Sequence, residues 1–329
     1  EYRQQARTKI VKQDELKSVD ARPSARRRNG SAEASVRAGP LVNLPSTMRS
    51  LGCDPIPLFS KAGFVEEDFS DPDHRLPYLR TSRLLAACVK TSACDHLGLL
   101  LGQQAGPSHL GIAGFLVRTA SNTEQALQAL VNNLDLHDEG GSVALESNGG
   151  YCALRFSVHL PGVAALEQIY DMSAAIMFQI MQALCGPDWA ATAVRLARRR
   201  PPNVAPYRNF FRASVFYNSA ECSVTFPCDY LQQKSDSADI LLFRHLEQEA
   251  LRLHDIQHHD LMDELPAVIR NSLLVGKFSA SQIADAFGIH ERTMHRRLRG
   301  AGTSFRRELD RSRKQVSEEL LKSTTLPIC

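Results

Sequence analysis

Residues 291–300 have side-chain types and a spacing suited to contacting nucleic acid. Met294 and Leu298 lie four residues apart and define an apolar stripe on a predicted helix. The polar and basic residues off that stripe are Arg292, Thr293, His295, Arg296 and Arg299. Arginines donate paired hydrogen bonds to guanine or to phosphate, and short polar groups can reach base edges in the major groove. We therefore predict a DNA-contacting helix, with an ordinary basic surface helix as the alternative.

The preceding residues supply the elements that such a helix needs. Ser279 and Gln282 are spaced as a capping box that opens a helix, and Gly288 stands where a C-terminal cap requires a left-handed residue. Ala284 is small enough for two crossing helices to approach closely, and Ile289 begins the apolar set that seats the next helix. A helix, a glycine turn and a second helix are typical of the helix-turn-helix motif.

The sequence contains few motifs typical of catalytic or metal-binding sites. His290 and Glu291 resemble the start of a zinc-binding H-E-x-x-H motif, but residue 294 is Met and His295 lies on another helical face. His254 and His258 are four residues apart without a third ligand nearby in the sequence. Nucleophile-elbow, phosphate-loop and dinucleotide fingerprints are missing as well. We predict a protein that is not an enzyme and that carries no metal or cofactor.

The central part of the chain predicts a mixed fold. Ser121 and Glu124 are spaced as a capping box before an amphipathic helix. Residues 151–159 alternate in polarity, and the glycines of 148–150 suit a hairpin turn to a strand at 143–145. A long helix is predicted over about 164–184. Shorter strands are predicted near 194–196, 215–217 and 224–226. The predicted fold is an α+β body, helices plus a small antiparallel sheet, followed by an all-α helix-turn-helix domain.

Charge is distributed unevenly along the 329 residues, although the formal net charge is only +3. Residues 1–38 hold 10 basic and 5 acidic side chains, and residues 264–329 hold 12 basic and 7 acidic ones. An acidic body with basic ends suggests a polyanionic partner. We predict a disordered basic tail at 1–40, a globular domain at 41–235, a linker helix and polar linker at 236–263, and a DNA-binding domain at 264–329.

The spacing of the cysteines and the distribution of apolar residues predict the cellular environment of the chain. The eight cysteines form no C-x-x-C pair and lie mostly among apolar residues, which favours reduced, packed thiols in a cytoplasm. The longest uncharged stretch, 96–117, is interrupted by polar residues and a proline, so we predict no membrane span.

Residues 278–284, 292–298 and 302–305 together resemble the first helix-turn-helix of AraC/XylS-type transcriptional regulators, which are bacterial-type regulators. Residues from about 41 to 227 resemble the arabinose-binding-type effector domain of one branch of that family, through 110–114, 123–130, 207–211 and 215–216. The resemblance implies a cytoplasmic homodimer that binds double-stranded DNA and a small-molecule effector, whose identity the sequence does not reveal.

The resemblance also assigns roles to individual residues. Arg292, His295 and Arg296 match the base-facing positions of the first recognition helix, whereas Thr293 and Arg299 could serve phosphates. His290 stands where relatives often have a small polar cap, and it could be a poorer cap or a phosphate donor. Ser279 completes the set of candidate DNA contacts.

The family joins two helix-turn-helix units by a long helix, which is predicted here from Ser304 to about Leu321. The sequence ends at Cys329, about where a second unit would begin, and losing one unit would remove several phosphate contacts. Two hypotheses follow. The first is a sequence-specific DNA-binding regulator with a sensing N-terminal domain. The alternative is a truncated sensing and dimerisation module that has lost effective operator binding.

Overall fold

The computed structural model describes residues 33–275, 279–287, 289 and 291–323. Most of the tail predicted for 1–40 lies outside these ranges. Residues 35–41 are ordered, because Ser35–Arg37 pairs antiparallel with Arg75–Pro77 and the turn Gly39–Leu41 is buried. Leu41 is buried in the main core and Val36 packs against it, which fixes this segment on the body.

Twelve helices and seven strands are seen in the described ranges. The helices are α1 Leu44–Ser50, α2 Ile56–Ala62, α3 Tyr78–Ser92, α4 Leu97–Gln104, α5 Ile112–Thr119, α6 Thr123–Asn133, α7 Leu166–Cys185, α8 Ala205–Phe211, α9 Ile240–Val275, α10 Ala280–Ala286, α11 Glu291–Gly300 and α12 Phe305–Ser323. The strands are β1 Ser35–Arg37, β2 Arg75–Pro77, β3 Gly141–Asn148, β4 Tyr151–Val158, β5 Ala193–Arg195, β6 Ser214–Phe216 and β7 Cys222–Pro227. The prediction of helices with a small sheet is confirmed at this level.

The larger sheet has five strands in the order β3-β4-β7-β5-β6. The hairpin β3–β4 turns through Gly149 and Gly150, both with positive φ, as the sequence pattern predicts. The prediction of a purely antiparallel sheet is wrong, because β5 and β6 pair in parallel. Helix α8 lies between these two strands in sequence and provides the crossover that a parallel pair requires.

The main core is built around α7, which buries its apolar stripe against α4 and the sheet. Two glycines of α4 allow this close approach. A Cβ on Gly98 would lie 2.0 Å from the carbonyl oxygen of Gln168, and one on Gly102 would lie 2.6 Å from the Cβ of Ala175. The side-chain carbonyl of Gln168 accepts a hydrogen bond from the Gly98 amide at 2.8 Å, which fixes the register of the two helices.

A second hydrophobic cluster joins α9, α10 and α11. Leu265 and Ile269 of α9 pack with Ala284 of α10 and with Met294 and Leu298 of α11. The positions chosen as packing residues from the sequence are therefore buried. Helix α9 is continuous over 36 residues, although the polar stretch at 254–260 suggests a break.

Two predictions about caps and one about cysteines are tested directly. Ser279 is confirmed as a cap, since its Oγ accepts a hydrogen bond from the Gln282 amide at 3.1 Å. The cap of α6 is Asn122 rather than the predicted Ser121, because the helix begins one residue later. The prediction of reduced thiols throughout is wrong for Cys152 of β4 and Cys228, the residue after β7, which form a disulfide with their Cα atoms 5.1 Å apart.

Replacing Ser279 by alanine is expected to cost about 1 kcal/mol of stability, because the Gln282 amide at the start of α10 loses its side-chain acceptor. Urea unfolding monitored by circular dichroism measures this change. Ser281→Ala is the control, because Ser281 is an exposed serine inside the same helix α10. An equal effect of the two substitutions would contradict the capping role.

Candidate functional site

Helix α11 carries most of the residues predicted to contact DNA. Its apolar side is fully covered, since Met294 and Leu298 are both 0% exposed. Arg292 and Arg299 are exposed and Thr293 is half-buried. The prediction that α11 presents a basic face opposite a packed stripe thus agrees with the burial of its side chains, while its contact with DNA remains a prediction.

The other candidate residues have identifiable neighbours. The His295 Nε2 atom lies 3.3 Å from the Glu291 carboxylate, one helical turn earlier. The Arg299 Nε donates to the His295 carbonyl oxygen at 3.3 Å. Ser279 is exposed and caps α10, on a different helix from the arginines. His290 lies outside the described residues.

Arg296 does not point freely into solvent. Its guanidinium forms an ion pair with the Asp135 carboxylate and donates a hydrogen bond to the Asn132 carbonyl oxygen at 2.8 Å. Asp135 is 6% exposed, whereas Arg296 is 37% exposed, so the pair lies at the edge of the body and is partly screened by water. We call the contacts of Arg296 with Asp135 and Asn132 the Asp135 clasp.

Asp135 is surrounded by basic groups from two parts of the chain. Besides Arg296, the Arg297 guanidinium lies 3.9 Å and the His254 Nδ1 lies 3.7 Å from its carboxylate. Burial lowers the pKa of Arg297, and Asp135 acts in the opposite direction. The Nε2 atom of His254 lies 3.1 Å from the Asn133 side chain. A single buried carboxylate therefore ties α9 and α11 to the end of α6.

The clasp leaves a groove between α11 and the body. Arg292, Thr293, Arg296 and Arg299 line one side of it. The other side is formed by the end of α6 and the start of β3, including Asn132, Asp135, Ser142 and Ala144. In this arrangement part of the face predicted to read DNA is turned toward the protein itself.

An apolar cavity of about 70 Å³ lies inside the body. Its walls come from α3, α7, the start of β3 and the segment that follows α6. Ile176, Met177 and Ile180 of α7 form one wall, and Leu130 and Leu134 form another. Met and branched aliphatic side chains give this cavity an adaptable apolar surface.

Polar groups gather at one part of the cavity wall, where Tyr78, His137 and Asp138 lie. Burial lowers the pKa of His137 to about 3, so its imidazole is neutral near pH 7. Burial raises the pKa of Asp138 to about 7, against the two backbone amides of Gly140 and Gly141 that donate to its Oδ1. These groups can offer hydrogen bonds to a bound molecule within an otherwise apolar space.

Residues 130–138 connect the cavity to α11. Leu130, Leu134 and His137 line the cavity, while Asn132 and Asp135 contact Arg296. The end of α6 and the short helical turn Leu134–Leu136 present these two sets of side chains in different directions. We call residues 130–138 the coupling segment, because this short stretch both lines the cavity and contacts Arg296 of α11.

Sequence reasoning identified the arginines but missed their partners. Asn132 is 164 residues from Arg296, and no motif links the two positions. The one usable signal is an aspartate among apolar residues at the end of a predicted helix, since a buried carboxylate requires a basic partner.

The described ranges contain neither a metal-ligand cluster nor a single membrane-spanning helix. No group of three His, Cys, Asp or Glu side chains there is placed to hold a metal ion. No individual helix there combines the length and apolar composition needed to cross a membrane; helices α3 and α4 reach it only as a pair bent by 113°.

Comparison with known proteins gives a consistent picture. Residues 52–235 match the family described as the N-terminal arabinose-binding domain of AraC transcription regulators. The chain is 24% identical over 292 residues to the HTH-type transcriptional regulator VirS of Mycobacterium tuberculosis, covering 87% of this chain and 85% of VirS. It is 25% identical over 274 residues to the ornithine utilization regulator of Pseudomonas aeruginosa, covering 82% and 80%. The crystal structure of the transcriptional regulator CdpR from Pseudomonas aeruginosa matches with a TM-score of 0.45 and 21% identity, over 85% of this chain and 86% of that one.

Proposed function

Because the chain belongs to the AraC transcription regulators with an N-terminal arabinose-binding domain, we propose that it binds specific DNA sequences under the control of a small molecule. Residues 41–235 would sense that molecule, residues 236–263 would connect the two parts, and residues 264–329 would contact DNA. The relatives in the comparison are regulators rather than enzymes. The proposed location is the cytoplasm, where a regulator meets double-stranded DNA.

The observation that carries this proposal is the double role of the coupling segment. Leu130 and Leu134 line the cavity, and Asp135 holds Arg296, a residue proposed to face the bases. A molecule in the cavity that shifts the coupling segment would change how well Asp135 holds Arg296. Binding of the small molecule and contact with DNA would then be linked, because both depend on whether α11 is held on the body or free.

The proposed DNA contacts divide by exposure. Arg299 is exposed and would meet a phosphate, whereas Arg292, also exposed, would meet a base edge. Arg296 reaches a base only after it leaves Asp135. His295 and Thr293 lie between them on the same helix, and His290 and Ser279 keep their proposed roles near the start of the helices.

Selection from a pool of random duplexes, followed by fluorescence anisotropy titration, tests the DNA-binding function. We expect one preferred sequence, referred to below as the operator. We also expect Arg299→Ala to reduce the slope of log affinity against log salt concentration by about 0.9, the value for one lost phosphate contact. Arg83→Ala removes an exposed arginine of α3 and is the matched control. A pool without sequence enrichment, or equal slopes for the two variants, would refute the proposal.

We further propose a homodimer. Ile240, Leu241 and Leu251 near the start of α9 are 60%, 70% and 63% exposed, and large apolar side chains on one helix often mark an interface. Light scattering after size exclusion is expected to give twice the mass of one chain. Leu241→Glu is expected to halve that mass, whereas an unchanged mass would place any interface elsewhere.

A further inference from the structure

We propose that the cavity of the body binds a mainly apolar small molecule with one neutral polar end, such as an aliphatic alcohol, ketone or amide, and excludes sugars and charged amino acids. The inference rests on the proposed sensing function and specifies the chemistry of its effector. It differs from what the family description and the name of the ornithine regulator suggest for other proteins.

The composition of the wall supports the apolar part of this proposal. Fourteen of the 21 lining residues are apolar, including Phe156, Ile169 and Ile176. A sugar carries several hydroxyl groups, and each one buried without a partner costs free energy. A wall of this composition cannot provide those partners, whereas it stabilises hydrocarbon by removing it from water.

Most polar side chains of the wall already have partners. The Thr81 hydroxyl donates to the Pro77 carbonyl oxygen at 2.9 Å, and the Ser82 hydroxyl donates to the Leu79 carbonyl oxygen at 2.9 Å. The guanidinium of Arg37 is paired with Asp73. The hydroxyls of Thr81 and Ser82 therefore hold the fold together, and Asp73 compensates the charge of Arg37.

Three buried polar atoms of lining residues have no hydrogen-bond partner among the described residues: Arg37 Nε, Tyr78 Oη and His137 Nδ1. The charge of Arg37 is compensated by Asp73, so the atoms of Tyr78 and His137 are the ones suited to a neutral ligand. Tyr78 and His137 are 3% and 4% exposed. Buried polar atoms without partners are rare and call for an explanation. A ligand oxygen that accepts from the Tyr78 hydroxyl, or donates to His137, would satisfy them and fix one polar end of the ligand here.

The charges around this end favour a neutral group. His137 is neutral near pH 7 because burial lowers its pKa. The only basic residue of the lining, Arg37, is paired with Asp73. The Asp138 carboxyl group, also in the wall, would repel a carboxylate when ionised. An ammonium ligand would have to lose its hydration in a mainly apolar wall, and the Asp138 carboxyl group, whose pKa burial raises to about 7, is only partly ionised near pH 7 and compensates it incompletely.

The size of the cavity suggests suitable probes. The volume of about 70 Å³ is the space open to the centre of a water molecule, and the walls lie about 1.4 Å further out, which leaves room for a molecule of the size of hexan-1-ol. Hexanoate, hexylammonium and L-arabinose are the matched probes, since they change the end group or the polarity at comparable size.

Calorimetric titration of the full chain at pH 7.5 with these four probes tests the proposal. We expect hexan-1-ol to bind saturably and the other three to bind at least about tenfold more weakly, because their charges or hydroxyls lose hydration without partners. Tyr78→Phe is expected to weaken hexan-1-ol by about 3- to 10-fold, the range for one lost hydrogen bond. Tyr217→Phe is the matched control. It also removes a buried hydroxyl that has no partner in the described ranges, but Tyr217 is not a lining residue of this cavity.

Three results would overturn the proposal: binding of arabinose or either charged probe as tight as that of hexan-1-ol, equal effects of the two tyrosine variants, or no binding by any probe. A melting curve for each variant shows whether it is folded. Failure of the proposed DNA-binding function can be distinguished from failure of this ligand proposal, because it would appear as the loss of sequence preference in the DNA titration. A chain that selects an operator but binds no probe would overturn the ligand class alone.

Discussion

Replacing Asp135 by asparagine is expected to raise the affinity of the ligand-free chain for its operator by about tenfold. The substitution keeps the shape of the side chain and removes the charge that pairs with Arg296. The held arrangement of α11 would lose stability relative to the free one. Since only the free arrangement presents Arg296 to DNA, its larger population appears directly as higher affinity.

The size of this effect follows from the exposure of the pair. Breaking a fully buried ion pair costs about 3–5 kcal/mol, but Arg296 is 37% exposed and water screens part of the attraction. A contribution of about 1.4 kcal/mol, which is tenfold in affinity, is in keeping with a pair at the edge of the body. Arg297 and His254 also face Asp135, so the variant needs a melting curve to confirm that it is folded.

Anisotropy titration at fixed salt measures the change, and Asp188→Asn is its control. Asp188 is an exposed aspartate outside the coupling segment, so this substitution makes the same change in net charge. The contribution of net charge to DNA attraction therefore cancels between the two variants. Equal affinities for both would show that Asp135 does not hold α11 away from DNA.

Replacing Arg296 by alanine is expected to lower operator affinity by about 10- to 100-fold when Asp135 is already asparagine. A paired arginine–guanine contact contributes about 1–3 kcal/mol. In the chain with the native Asp135 the loss is expected to be smaller, because the same substitution also removes the clasp. The two effects oppose each other there, and the double-mutant cycle separates them.

The double-mutant cycle has a control variant and a result that would contradict the proposed role of Asp135. Arg83→Ala in both backgrounds reports the effect of one lost positive charge away from α11. If Arg296→Ala has the same effect whether residue 135 is aspartate or asparagine, the two side chains act independently. The clasp would then have no role in DNA binding.

Much of the fold follows from local sequence patterns. The β3–β4 hairpin is predictable because alternation and two glycines occur together, and α7 because its apolar stripe runs for 20 residues. The continuity of α9 is not predictable from local patterns, because contacts with residues distant in sequence stabilise its polar middle. The contact of His254 with Asn133 is one of them.

The candidate site is also predictable only in part from the sequence. The outward arginines of α11 are predictable from the spacing of Met294 and Leu298, which are buried as expected. The partner of Arg296 is set by tertiary packing between α6 and α11. The Cys152–Cys228 disulfide is a similar case, because the pairing of β4 with β7 brings together residues that are 76 apart in the chain.

Hydrogen–deuterium exchange of the full chain with and without operator DNA tests the link between the coupling segment and α11 most directly. On binding DNA, amides of residues 291–300 are expected to exchange more slowly, because DNA covers the helix. Amides of residues 130–138 are expected to exchange faster, because Arg296 leaves Asn132 and Asp135. Slower exchange in 291–300 with no change in 130–138 would show that α11 reads DNA while still held on the body, and would contradict the proposed coupling.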